Sequence, residues 1–151
     1  MSIIRSIQFQ PMTSDPDDYR PNTTWAMVLD PETSDGRYVR DMTILFEHCA
    51  IGDRIPLHTH TIDEAIVIDQ GTADVTLGDE TSTASTGAVV FIPAGVRHGA
   101  RNTGREPLQL HAFFATTVLD AAYLERNPAP GTEGEPPEPP LSIDVRSLPA
   151  E

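Results

Sequence analysis

Between residues 57 and 117 the chain breaks into short runs in which apolar and polar positions alternate, each run closed by glycine, proline or aspartate. Alternation with a period of two places successive side chains on opposite faces of an extended backbone, so the pattern predicts strands over 57–61, 64–69, 72–77, 80–84, 88–92, 97–102 and 107–117. Gly71, Gly78-Asp79, Gly87, Pro93-Ala94-Gly95 and Gly104 supply the turns between them. Upstream, IIRSIQFQ (3–10), TWAMVLD (24–30) and the stretch rich in β formers from Tyr38 to Ile51 read as further strands, separated by turn-forming segments at 13–22 and 31–36. Many short strands at regular spacing predict an all-β barrel or sandwich. Residues 117–126, TVLDAAYLER, read as one short C-terminal helix stopped by Asn127-Pro128.

The domain so outlined spans residues 1–126, with a core barrel at 40–117. Residues 127–151 form a tail too rich in Pro, Gly and Glu to bury a core. Within the tail, Leu141, Ile143 and Val145 alternate with polar residues, so 141–148 could either dock as a strand on a neighbouring subunit or stay disordered.

Phase counting describes an interior. If Glu64 points inward, Ile66 and Ile68 follow it, and Leu110, Ala112 and Phe114 (with Leu108) form the apolar face of the last long strand, leaving His111 outside. In strand 43–51 the two faces compete. Ile44, Phe46, His48 and Ala50 carry the greater apolar weight; Leu45, Glu47 and Cys49 lie on the other side.

The candidate chemistry sits in GDRIPLHTHTIDEAIVIDQG, residues 52–71. His58 and His60 share a strand face, Glu64 follows with the same parity, and His98 returns in GAVVFIPAGVRHGARN, residues 87–102. Three imidazoles and a carboxylate make a first shell for a divalent transition metal. The first stretch reads Gly52-x5-His58-x-His60-x3-Glu64-x6-Gly71 and the second Gly87-x5-Pro93-x-Gly95-x2-His98-x3-Asn102. Together they resemble the paired motifs of the cupin superfamily, as found in small single-domain microbial members. The resemblance implies a jelly-roll β-barrel, with His58, His60, Glu64 and His98 as metal ligands. It also implies that Leu45, Glu47 and Cys49 face inward, against the apolar weight of that strand. Glu47 would then be a candidate catalytic acid or base, and Leu45, Cys49, Ile66, Ile68, Leu110, Ala112 and Phe114 would line the pocket.

An all-nitrogen and oxygen donor set suits Fe or Mn best, admits Ni, Co or Zn, and disfavours Ca or Mg. Four protein ligands on an octahedral ion leave two adjacent positions for the oxygens of a small chelating substrate, or for one oxygen and O2. The expectation is therefore a metal-dependent, dioxygenase-like oxidoreductase. Two alternatives stay open: a metal-dependent isomerase, decarboxylase or lyase, and a non-catalytic small-ligand binder.

Charge narrows the partners. With 10 basic and 23 acidic residues the net charge is −13, which argues against nucleic acid and anionic membranes. All the basic residues are arginine, so lysine Schiff-base chemistry is excluded. No run of eighteen apolar residues is present, and the start lacks a signal-peptide pattern. The single Cys49 fits a reducing compartment. The expectation is a cytoplasmic homodimer acting on a small molecule.

Overall fold

The computed structural model describes residues 2–31 and 36–147. The central part of the turn expected at 31–36, and the chain from Leu148 onward, lie outside the described residues. The remainder is almost wholly extended. The strands are β1 (Gln10–Met12), β2 (Arg20–Val28), β3 (Thr43–Cys49), β4 (Arg54–Thr59), β5 (Glu64–Gln70), β6 (Thr72–Leu77), β7 (Glu80–Ser85), β8 (Val89–Ile92), β9 (His98–Asn102), β10 (Leu108–Phe114), β11 (Val118–Tyr123) and β12 (Leu141–Asp144). They form two six-stranded antiparallel sheets, ordered β1-β2-β3-β10-β5-β8 and β12-β11-β4-β9-β6-β7. This is the all-β architecture that the turn spacing predicts, in the jelly-roll form that the resemblance implies.

The inner faces of the sheets bury Ile66, Ile68, Ala73, Ile92, Ala100, Leu108, Leu110, Ala112 and Phe114 around Cys49. Each fully buried side chain such as Ile68 or Leu108 contributes roughly 1.5–3 kcal/mol through removal from water. Two glycines permit close approach of backbone. Gly71 turns the chain at φ 98°, where a Cβ would lie 3.2 Å from Leu108 Cα. Gly99, next to His98, passes so near β4 that a Cβ would meet the Ile55 carbonyl oxygen at 2.8 Å. That contact lets β9 lie against β4 where the pairing shifts register between Ile55 and His58.

The structure corrects four expectations. Residues 118–123 are a strand rather than a helix. Their Ala- and Leu-rich composition favours helix, but β4 offers a free ladder: Ala122 pairs with Thr59 and Tyr123 with His58. A single 3-10 turn, Val145–Ser147, is the helical segment near the C-terminus among the described residues. Of the alternating piece at 141–148, Leu141–Asp144 docks, but on its own chain, as β12 against β11. At the other end, extended pairing covers Gln10–Met12 rather than 3–10. The loop expected to run to residue 22 ends earlier, because Arg20 already begins β2.

Strand β3 turns Leu45, Glu47 and Cys49 inward. Glu47 is opposite Leu110 and Leu45 opposite Ala112, both on the buried face of β10. The competing face is apolar for another reason. Phe46 lies over His111 and His48 stacks on Phe9, with ring centroids 5.5 and 4.2 Å apart, forming an outer layer on the sheet.

The segments flanking the barrel are tied to each other. Arg126 Nε donates to Asp17 and Nη1 donates to the carbonyls of Thr132 and Glu135. The Glu138 amide also donates to Asp17, and Asn127 and Tyr19 exchange backbone bonds with this region.

Candidate metal centre and cavity

His58 lies in β4, His98 opposite it in β9, and Glu64 opens β5, so the two sheets bring them together. His60 sits one residue beyond the end of β4. The four donor atoms of His58, His60, Glu64 and His98 lie within 4.8 Å of one another, and the group could hold a metal ion.

The hydrogen bonds behind the rings set the tautomers. His58 Nδ1 is 2.8 Å from the Pro56 carbonyl, His98 Nδ1 is 2.9 Å from that of Val96, and His60 Nδ1 meets that of Asp120. A carbonyl oxygen only accepts, so each Nδ1 carries the proton and each Nε2 presents a lone pair. These lone pairs converge: His58 Nε2 is 3.1 Å from His60 Nε2, and His98 Nε2 is 2.9 Å from Glu64 Oε2. Glu64 Oε2 and His98 Nε2 are buried and have no hydrogen-bond partner. Four acceptors facing one another call for a cation between them. A proton fits poorly, since burial, with His98 and His60 adding to it, pushes the His58 imidazole down to about 3. A metal ion suits the donor set.

The centre opens on a cavity of about 640 Å³ between the sheets, within the usual range for small-molecule sites. Leu45, Glu47, Ile66, Ile68, Leu110, Ala112 and Phe114 line it. Cys49 does not: it is fully buried in the core beside the cavity, and burial pushes its thiol up to about 12.

Several wall residues escaped sequence reasoning. Trp25 and Met27 come from β2, Leu119, Ala121 and Tyr123 from β11, and Leu141 and Ile143 from β12. The period of two at 119, 121 and 123 was the available signal for β11. Arg20 had no such signal, since its partner lies 27 residues away. It is 3% exposed and the sole arginine among the lining residues. Its Nε and Nη2 donate to the two oxygens of Asp18, its Nη1 and Nη2 to the two oxygens of Glu47, and Nη1 also reaches Cys49 Sγ. Those contacts use every N–H of the guanidinium. Burial raises the Asp18 carboxyl to about 6 despite the neighbouring arginine, and Asn127 Nδ2 donates to the same carboxylate. Tyr123, whose ring centroid is 5.9 Å from that of His58, donates its hydroxyl to Asp15 at 2.8 Å. Burial, reinforced by Asp15, holds that phenol protonated.

Other candidates lie elsewhere. His111 is on the outer face, 2.7 Å from Asp69, and Asn102 Nδ2 ties a turn by donating to the carbonyls of Cys49, Ala50 and Glu106. Among the described residues no helix is long and apolar enough to cross a membrane.

Comparison with known proteins agrees with this architecture. Residues 45–114 match the family model described as Cupin domain. The xanthan biosynthesis protein XanB of Xanthomonas campestris is 39% identical over 56 residues, a match covering 37% of this chain and 12% of that protein's length. Among solved structures, the polyketide cyclase RemF of Streptomyces resistomycificus superposes with a TM-score of 0.60 at 17% identity, covering 85% of this chain and 82% of that one. An S161A mutant of the Bacillus subtilis oxalate decarboxylase OxdC gives 0.59 at 18% identity over 76% of this chain and 30% of that one. At such identities the structural likeness speaks for the fold alone. With both motifs on the paired sheets and the family match spanning the barrel's centre, residues 45–114 of the chain form a cupin domain.

Proposed function

We propose that this protein is a metal-dependent, dioxygenase-like oxidoreductase acting on a small substrate that chelates through oxygen and carries a neutral, apolar or aromatic body. The observation that carries the reading is the convergence of donor atoms from His58, His60, Glu64 and His98 at the wall of an apolar cavity, with Glu64 Oε2 and His98 Nε2 buried and without a hydrogen-bond partner. These residues would hold one Fe or Mn ion, with Ni, Co or Zn as substitutes, and the ion would supply Lewis acidity and, with Fe or Mn, redox chemistry toward O2. The protein supplies the surroundings. Ile66, Ile68, Leu110, Ala112 and Phe114 exclude water from the reacting centre. Arg20, saturated by Asp18, Glu47 and Cys49, has no N–H left to clamp a substrate carboxylate. The acidic groups around it disfavour a second anionic group on the ligand.

Non-oxidative isomerase, decarboxylase or lyase chemistry is the second reading, in keeping with the names of the oxalate decarboxylase and polyketide cyclase of similar fold. It requires a proton-transfer group. Glu47 faces the cavity, but both its oxygens accept from Arg20, so we assign it to the wall; His48 points to the outer face. Tyr123 with Asp15 is then the pair beside the imidazoles.

The test uses Fe- or Mn-loaded protein with catechol, 4-ethylcatechol and 3,4-dihydroxyphenylacetate. Oxygen uptake is expected with the first two. Calorimetry is expected to give 4-ethylcatechol roughly tenfold tighter binding than catechol, from two further buried carbons. The carboxylate analogue should bind weakest. Tighter binding of the carboxylate, or turnover without oxygen uptake, would contradict the dioxygenase reading.

We also propose a cytoplasmic homodimer. The outer face of β8, β5 and β10 aligns Phe91, Ala65 and Phe113, with Val89 beside Val67, and Phe91 is 74% exposed. Phe91→Asp is expected to convert a dimer to a monomer in light scattering; a monomeric wild type would refute the assignment.

A further inference from the structure

We propose that Asp120 is a positioning residue for the metal centre, fixing the one imidazole that the sheets leave unsupported. The proposal rests on the metal-centre reading and adds to it a residue outside the cupin-domain match. His58 and His98 are held by the β4–β9 ladder, and Glu64 pairs with Ile92 and Phe114. His60 lies past the end of β4, where a backbone bond from the Gly95 amide to its carbonyl is its nearest substitute for a ladder.

Asp120, in the middle of β11, closes that gap from two directions. Its carbonyl accepts from His60 Nδ1, which selects the tautomer and aims Nε2 at the other donors. Its carboxylate accepts from the Thr61 amide and the Thr61 hydroxyl, each at 2.9 Å, which pins the residue following His60. Carbonyl and carboxylate of one residue thus hold ring and backbone in a single frame. Asp120 is itself held in register: it pairs with Ser142 of β12, and its neighbours Ala122 and Tyr123 pair with β4. Outer hydrogen bonds of this kind usually change metal affinity by 10–100-fold.

The test compares Mn(II) and Zn(II) dissociation constants of full-length wild type, Asp120→Ala, Asp120→Asn, Thr61→Val and His60→Ala. Asp120→Ala is expected to bind about tenfold more weakly. Asparagine keeps an acceptor for the Thr61 amide and adds a donor for its hydroxyl, so Asp120→Asn should stay within about twofold of wild type. Thr61→Val loses one bond and should weaken binding about threefold. Nitrogen-resolved NMR of the metal-free proteins supplies a second readout. The main-chain carbonyl that accepts from His60 Nδ1 is kept in every variant of Asp120, so the same tautomer is expected throughout, whereas the Thr61 amide signal should shift upfield and exchange faster with solvent in Asp120→Ala but not in Asp120→Asn. Wild-type affinity and an unshifted Thr61 amide in Asp120→Ala, alongside lost affinity in His60→Ala, would overturn this proposal alone. No metal binding by the wild type would overturn it together with the metal-centre reading.

Discussion

The His58→Ala/His98→Ala protein should leave a metal-supplemented, reducing purification essentially free of metal, while the wild type carries about one Fe or Mn per chain. The difference follows from the donor geometry. Removing His58 and His98 leaves His60 and Glu64, with Nε2 and Oε2 3.7 Å apart, as the remaining donors. Since losing an outer hydrogen bond alone costs 10–100-fold, losing two direct ligands should exceed roughly 100-fold in affinity. A ligand that binds only the folded state at 100 times its dissociation constant adds about 2.7 kcal/mol. For a domain of this size that corresponds to a rise of roughly 5–10 °C in Tm. Elemental analysis, with melting curves before and after chelation, checks both. Equal metal in the double variant, or no chelator effect on the wild type, would remove the four-residue centre.

The second large effect concerns Arg20. Arg20→Met is expected to destabilise the fold by about 3–5 kcal/mol, since breaking a buried ion pair strands the remaining charges. Asp18 and Glu47, at 2.6 and 2.7 Å from the guanidinium, are both nearly inaccessible to water. The loss should depend on pH. The Asp18 carboxyl already sits at about 6 because burial outweighs the pull of Arg20, and removing the cation raises it further. A carboxyl raised in the folded state contributes stability below its unfolded value and loses it as pH climbs through the folded one. The deficit of the variant should therefore be smaller near about pH 5 than near about pH 8. Urea titrations at the two pH values measure this. An Asp18→Leu/Arg20→Met/Glu47→Leu variant should recover much of the loss, because a buried ion cluster is replaceable by apolar groups. A deficit below about 1 kcal/mol, or one equal at both pH values, would contradict the account.

The barrel was legible in the sequence because its strands alternate with a strict period and end at glycine or proline. Ile66 and Ile68 could be placed inside from Glu64 alone. Strand β3 was not legible from its residues, since it is apolar on both faces: Leu45 meets the cavity, while Phe46 meets an outer layer containing His111. Only the resemblance, which carries the phase across the Gly52 turn, chose the right face. Residues 118–123 misled because local propensity speaks for helix, whereas their state is set by the free edge of a strand sixty residues earlier. The ligand set was visible as spacing. The Arg20 cluster was not, because pairing between positions 18, 20 and 47 is a property of the folded chain.

The ties between residues 15–19 and 126–138 also bear on the order of events during synthesis. Asp17 waits for Arg126 and the Glu138 amide, and Asp18 for Asn127, partners more than a hundred positions away. A nascent chain can pair β2 with β3 and close most of the barrel while these partners are still inside the ribosome. Until they emerge, the end of the cavity walled by Asp17, Tyr123 and Ile143 stands open to solvent. Sealing of the binding chamber therefore waits on residues 126–138, and any slowing of translation through them prolongs a state with an unfinished interior.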